Sequence, residues 1–227
     1  MKSIFKIGGV RLDRLMLVLF VCEYFAHIDS PLQTVIRLCI FALYVLLSMP
    51  RLIRNDGGVS QNARFALGWV LCFWGFAVAS ALWSDSLALA LNKTILVDAV
   101  YSSTVLVLVS SDIKKEKDLE FYLTTYLVAM TVLCLMLVAK TPTSYWGTER
   151  LGETVGLNSN TLGVAMCIGA FVALFKAHHW KIYHCYALAV AFGAIALYSG
   201  SRKAFFMLIA MVILYFAFCE RGIKGFF

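Results

Sequence analysis

Phe121-Tyr-Leu-Thr-Thr-Tyr-Leu-Val-Ala-Met-Thr-Val-Leu-Cys-Leu-Met-Leu-Val-Ala139 runs for nineteen residues without Asp, Glu, Lys or Arg. About 20 mostly apolar residues cross the hydrocarbon core of a bilayer as one helix. The same reading extends along the chain. Residues 65–84, 154–175, 182–201 and 204–219 are equally free of charge. Residues 32–49 hold one charge, Arg37, and residues 87–109 hold Lys93 and Asp98. Residues 12–28 are the weakest candidate, with Asp13, Arg14 and Glu23. The sequence therefore predicts an all-α, polytopic membrane helix bundle, a single integral membrane domain over residues 1–227. Its eight spans fall at 12–28, 32–49, 65–84, 87–109, 119–139, 160–175, 182–199 and 204–219.

Composition excludes the alternatives. The 227 residues are 61% hydrophobic and 15% charged, with a mean hydropathy of +0.82. A soluble domain is about half apolar and a quarter charged, and disorder requires the opposite bias. The N-terminus carries Lys2, Lys6, Arg11 and Arg14 before an apolar stretch, as a signal peptide does. Glu23 interrupts that stretch, however, and Phe25-Ala26-His27 is a poor small-residue cleavage site. It reads as an uncleaved first helix.

Lys and Arg set the orientation. With connections numbered alternately, fourteen fall on one side: Lys2, Lys6, Arg11, Arg14, Arg51, Arg54, Arg64, Lys114, Lys115, Lys117, Lys176, Lys181, Arg221 and Lys224. Four fall on the other: Lys140, Arg150, Arg202 and Lys203. Both termini are therefore expected in the cytoplasm. The formal charge of +7 reflects topology and attraction to anionic membrane lipids, not nucleic-acid binding. The seven cysteines lie in or at the ends of apolar runs without a CxxC pair. They read as small packing residues, so neither a disulfide framework nor a metal site is expected. Ala187, Ala191 and Ala194, with Ala189 and Gly193, offer a small-residue face for close helix approach.

Charges inside spans or on the outer side call for explanation. Glu23 and Arg37 are each seven residues from Ser30, at the tip of the first hairpin, and share one depth. Arg37 has two readings: an ion pair with Glu23, or a ligand-binding cation. Lys93 snorkels outward or joins Arg37 in a cationic pocket. Asp98 is deeper and needs a partner or a proton. The outer loop 140–160 holds Arg150, Gly152, Gly156, Asn158 and Asn160. Its glycines permit close backbone approach, and Asn158 or Asn160 can cap the next helix. The other outer turn is Tyr198-Ser-Gly-Ser-Arg202-Lys203. It reads as a phosphate site made of a helix N-terminus, hydroxyls and Arg202, or as a Ser cap with solvated cations.

At these segments the chain resembles the O-antigen ligase and polymerase superfamily of bacterial polysaccharide assembly. Three stretches carry the resemblance in order. They are Ser80-Ala-Leu-Trp83-Ser84-Asp85 before a helix with a basic residue, Arg150…Gly152…Gly156…Asn158-Ser-Asn160…Gly163, and Ser199-Gly200-Ser201-Arg202 before Ala204 and an apolar run. The resemblance implies a metal-independent membrane glycosyltransferase with no cofactor, working at the periplasmic face of the inner membrane. Its donor is a glycan on undecaprenyl diphosphate. Its acceptor is lipid A–core for a ligase or a growing glycan chain for a polymerase. Arg150 and Arg202 are the implied catalytic residues. With Lys203, Lys93, Arg37 and Asn160 they are the implied donor-diphosphate binders.

Family members are usually longer, and a later loop carries the histidine that activates the acceptor. His178, His179 and His184 fall in an expected cytoplasmic connection, and nothing places His27 beside Arg202. Glu149, Glu153 and Asp85 are bases in principle. The chain is thus expected to be the N-terminal part of a longer fold, inactive by itself. Two other readings stay open. One is a transporter or lipid channel lined by Arg37, Lys93 and Asp98, although inverted repeats and paired Gly/Pro-broken helices are not evident. The other is a non-catalytic membrane subunit.

Overall fold

The computed structural model describes residues 6–7, 10–26, 31–54, 61–80, 93–146, 151–152 and 158–219. Among these, the only strands are a two-residue antiparallel pair, β1 Lys6–Ile7 and β2 Val10–Arg11. The rest is helical apart from short connections. The helices are α1 Leu12–Ala26, α2 Pro31–Arg54, α3 Gln61–Ser80, α4 Lys93–Asp112, α5 Glu116–Lys140, α6 Ser159–His179, α7 His184–Tyr198 and α8 Arg202–Cys219. Each lies on one of the stretches expected to be a span. Three are long and apolar enough to cross a membrane by length and composition: Pro31–Pro50, Glu116–Lys140 and Ser159–His179. Leu67–Phe76, Ala99–Asp112 and His184–Tyr198 are shorter apolar helices. Helix α2 continues past Pro50 to Arg54, beyond the expected end at Met49, at the loss of one backbone hydrogen bond.

Many large apolar side chains point outward. Leu32, Leu46, Phe65, Trp69, Phe76 and Val190 are each at least 66% exposed. In water such surface is unfavourable and rarely contiguous; in lipid it is solvated. Apolar helices with such surfaces are compatible with a membrane protein.

The chain forms two compact units, residues 1–17 with 39–122, and residues 18–38 with 123–227. In the first, α3 packs on α4, and Trp74 Nε1–H donates to Ser102 Oγ at 3.1 Å. Phe41 of α2 meets Tyr101 of α4 with ring centroids 4.5 Å apart. A cavity of about 300 Å³ lies among Val45, Met49, Leu67, Leu71, Val107 and Leu108.

The same unit holds a buried charge cluster around Asp112, whose side chain is 3% exposed. Arg11 Nη2 donates to Asp112 Oδ1 at 2.8 Å. Arg14 donates to Asp112 Oδ2 through Nε at 3.0 Å and Nη2 at 2.7 Å. Tyr122 Oη–H donates to the same oxygen at 2.6 Å. Arg11 also bonds Asp13, and Arg14 bonds Asp118. The Arg14 guanidinium lies 5.0 Å from the Phe121 ring centroid. A buried carboxylate is tolerated only when paired and hydrogen-bonded, and Asp112 meets that condition fully. Burial works against the Arg11 charge, but hydrogen bonds and attraction from Asp13 and Asp112 outweigh it, raising its pKa above the ordinary guanidinium value.

In the second unit, α6 packs on both α7 and α8, and α7 on α8. Leu127, Met130, Leu133 and Leu137 of α5 line the core at successive helical turns, against Leu162, Met166, Ala170 and Ala173 of α6. Of the expected small-residue face of α7, Ala189 is buried, but the rest is a correction: Ala187, Ala191 and Ala194 are exposed, and a Cβ on Gly193 would meet nothing within 4 Å. The packed stripe is Cys185, Ala189, Phe192 and Ala196. Phe192 decides this choice, because its ring fills the space left by Gly169 of α6. A Cβ on Gly169 would stand 3.1 Å from Phe192. At the far end of α6, buried Lys176 donates to the Thr124 hydroxyl and lies 5.3 Å from the Trp180 ring centroid.

Candidate functional site

Two of the three resembling stretches, those at 150–163 and 199–204, fall in the second unit, and residues 81–85 of the other lie outside the described residues. Helix α6 begins where Asn158 accepts a hydrogen bond from the Asn160 backbone N–H at 2.8 Å. Asn158 is therefore the cap, of the two candidates. This leaves the Asn160 side chain available, and it turns to α8. Ser201 Oγ–H donates to Asn160 Oδ1 at 2.8 Å. Ser201 Oγ also accepts from the Ala204 backbone N–H at 3.2 Å, the geometry of a helix N-cap at the third helical residue. One serine thus caps α8 and ties it to the start of α6, across 41 residues of chain.

The turn before α8 is built for tightness. Ser199 Oγ–H donates to the Ala196 carbonyl at 2.6 Å and accepts from the Ser201 N–H at 3.3 Å. Gly200 has φ 66°, a left-handed conformation that glycine adopts at no steric cost. Gly163, one turn into α6, faces this turn. A Cβ there would lie 2.6 Å from Ala204 Cβ and 2.6 Å from Ser199 Oγ. Cys167, one turn further on, donates its thiol to the Ala204 carbonyl at 3.3 Å. Helices α6 and α8 therefore pack closely at their starts, with Gly163 leaving room only for the small side chains of Ser199, Ser201 and Ala204.

Arg202 and Lys203 open α8 and are exposed. They directly follow Ser201, which makes the bond to Asn160. Ser201 engages Asn160 Oδ1, so the Asn160 amide N–H pair stays available as a donor. Leu151 and Gly152 are buried, Gly152 with φ 123°. Only glycine readily holds that backbone, so the loop is anchored directly after Arg150.

Arg150 itself lies outside the described residues, as do Gly156, His27, Asp85, Glu149 and Glu153. The side chains of Lys93 and Asp98 are outside them as well. Arg37 is paired: its Nε donates to Glu23 Oε2 at 2.7 Å and Nη2 to Glu23 Oε1 at 3.3 Å. Its guanidinium also lies 5.7 Å from the Tyr24 ring centroid. Of its two readings, the ion pair is the one seen. Glu23→Gln removes the countercharge of a guanidinium whose side chain is 15% exposed. It is expected to destabilise the protein by about 1–3 kcal/mol, read from the denaturation midpoint in detergent. Glu23→Leu combined with Arg37→Met should regain most of that loss.

His178 and His179 close α6, and His184 opens α7. The His179 ring stacks on Phe175 at 5.1 Å, and His178 meets Tyr215 edge-on. Among the described residues no group of His, Cys, Asp and Glu is arranged to hold a metal ion. The feature that sequence reading missed is an aromatic pair. Trp146 follows a short 3-10 turn, Thr143–Tyr145, and meets Tyr198 with ring centroids 5.9 Å apart at 71°. The signal for it was present: Trp146 and Tyr198 each stand just before one of the two motif segments.

No family model, curated protein or solved structure matches this chain.

Proposed function

We propose that the chain is the donor-lipid part of a membrane glycosyltransferase of surface-polysaccharide assembly, of the O-antigen ligase type. The complete enzyme transfers a glycan from undecaprenyl diphosphate to lipid A–core at the periplasmic face of a bacterial inner membrane. In this reading all eight helices span the bilayer and both termini are cytoplasmic. The turn before α8 and the start of α6 then share the periplasmic side. The observation that carries the proposal is the Ser201–Asn160 hydrogen bond. It joins two of the three segments that resemble the family, and Arg202 and Lys203 directly follow the serine that makes it.

The chemistry suits those residues. As the sugar–oxygen bond breaks, negative charge accumulates on the departing lipid diphosphate. A guanidinium offers paired N–H donors matched to phosphate oxygens and stays charged at any physiological pH. Donors fixed in advance where charge develops lower the barrier most. Arg202 and Arg150 take this role, with Lys203 and the Asn160 amide as further binders. Lys93 and Arg37 are secondary, and Arg37 is already balanced by Glu23.

Arg202→Ala should weaken binding of undecaprenyl diphosphate to the purified protein in nanodiscs by roughly 10–100-fold, the loss of one charge-assisted contact. Lys203→Ala should cost less, because its ammonium binds as a point charge. Unchanged binding in Arg202→Ala would remove the assignment. In cells, ligase loss leaves polymer stranded on the lipid carrier, whereas polymerase loss leaves single repeat units on the core.

A further inference from the structure

We propose that Trp146 and Tyr198 form a stacking corner for the sugar ring that the donor carries next to its diphosphate. The inference rests on the diphosphate reading of the turn before α8 and adds the subsite beside it.

Three observations carry it. First, the corner is held in place. Trp146 packs partly against the core, and its Nε1–H donates to the Thr141 carbonyl at 3.4 Å. Tyr198 meets it nearly at right angles, so each ring keeps a face uncovered by the other. Second, the corner is open. Tyr198 is 49% exposed and neighbouring Tyr145 39%. Third, it adjoins the cations. Tyr198 stands four residues before Arg202, so their Cα atoms cannot be more than ~15 Å apart at ~3.8 Å per step, and Gly200 folds the chain back within that interval.

Charge then sorts the two parts of the donor. An aromatic face is negative and its edge positive. The face attracts the weakly positive C–H surface of a pyranose and repels a phosphate. A diphosphate is drawn instead to Arg202 and Lys203. A neutral ring covalently attached to that diphosphate therefore falls on the aromatic corner. Thr143 and Ser144, in the turn just before Trp146, present exposed hydroxyl side chains, which suit sugar hydroxyls better than lipid tails. The competing role is membrane anchoring, since Trp and Tyr favour the interface. Anchoring would not distinguish a glycosylated lipid from a bare one.

The test compares undecaprenyl diphosphate carrying one hexose or one N-acetylhexosamine with sugar-free undecaprenyl diphosphate, on full-length protein in nanodiscs. The unchanged protein should bind at least one glycosylated lipid more tightly than the bare lipid. Tyr198→Leu and Trp146→Leu should each reduce that preference roughly tenfold while binding of the bare lipid stays the same. Trp146→Phe, which keeps a ring and the core contact, should retain most of the preference and guards against misfolding in Trp146→Leu. Equal binding of glycosylated and bare lipids by the unchanged protein overturns the corner and leaves the diphosphate reading intact. Equal losses for both lipids in Tyr198→Leu and Trp146→Leu also overturn it. Absence of binding to every lipid overturns both readings.

Discussion

Asp112→Ala is expected to lower stability by about 3–5 kcal/mol, the cost of removing one partner from a buried ion pair. The size follows from what is stranded. Asp112 takes hydrogen bonds from Arg11, Arg14 and Tyr122. Without it, two guanidiniums and a phenol lose their acceptor, while Asp13 and Asp118 satisfy only part of the arginine donors. The contacts join residues 98 to 101 positions apart in sequence, so their loss also frees the chain end from α4. Tyr122→Phe removes a single hydrogen bond and should cost only about 1 kcal/mol. Denaturation midpoints in mixed detergent micelles would measure both. A loss below 1 kcal/mol for Asp112→Ala would mean that water already serves these charges. The arginine side of the cluster does not limit stability in alkali. The raised Arg11 pKa places its contribution fully below the unfolded guanidinium value, and it is lost only as pH rises through a still higher one.

The cluster also shows what a linear reading misses. Arg11 and Arg14 were legible as positive charges around the start of a first stretch, and Asp13 and Arg14 as blemishes on it. Nothing local links them to Asp112. The hint was a pair of acids, Asp112 and Asp118, flanking a connection with three lysines, Lys114, Lys115 and Lys117. Helix positions were legible because uncharged runs near twenty residues have few other uses. Helix α6 spans Ser159–His179 against an expected 160–175, and α7 spans His184–Tyr198 against 182–199. The packed face of α7 was not legible. Alanines occur on several of its faces, and the choice is made by a Phe on α7 meeting a Gly on α6. Such complementarity between helices leaves no period in either strand of sequence. The Glu23–Arg37 pair was legible as a possibility because both residues are equidistant from one hairpin tip.

Gly163→Val is expected to abolish the α6–α8 junction and, with it, the lipid diphosphate binding proposed above. A Cβ at Gly163 already falls 2.6 Å from both Ala204 Cβ and Ser199 Oγ, well inside van der Waals contact, and the two γ-methyls of valine need still more room. Ser199 cannot yield cheaply, since its hydroxyl is bonded on both sides within the turn. Ala204 cannot yield alone, since its N–H is the one Ser201 caps and its carbonyl receives the Cys167 thiol. The helices must therefore separate, and the 2.8 Å bond from Ser201 to Asn160 goes with them. Gly163→Ala is the milder case and should cost about 1–3 kcal/mol, as for overpacking of a tight core. Ala204→Gly removes one of the two clashing atoms, so Gly163→Ala with Ala204→Gly should recover part of the loss, less the ~1 kcal/mol of a glycine near a helix start. The informative comparison sets binding against folding. Gly163→Ala that stays folded but binds undecaprenyl diphosphate at least tenfold more weakly places the effect in the position of α8. The same variant binding normally would show that Arg202 and Asn160 act independently, and that the junction is a packing contact alone.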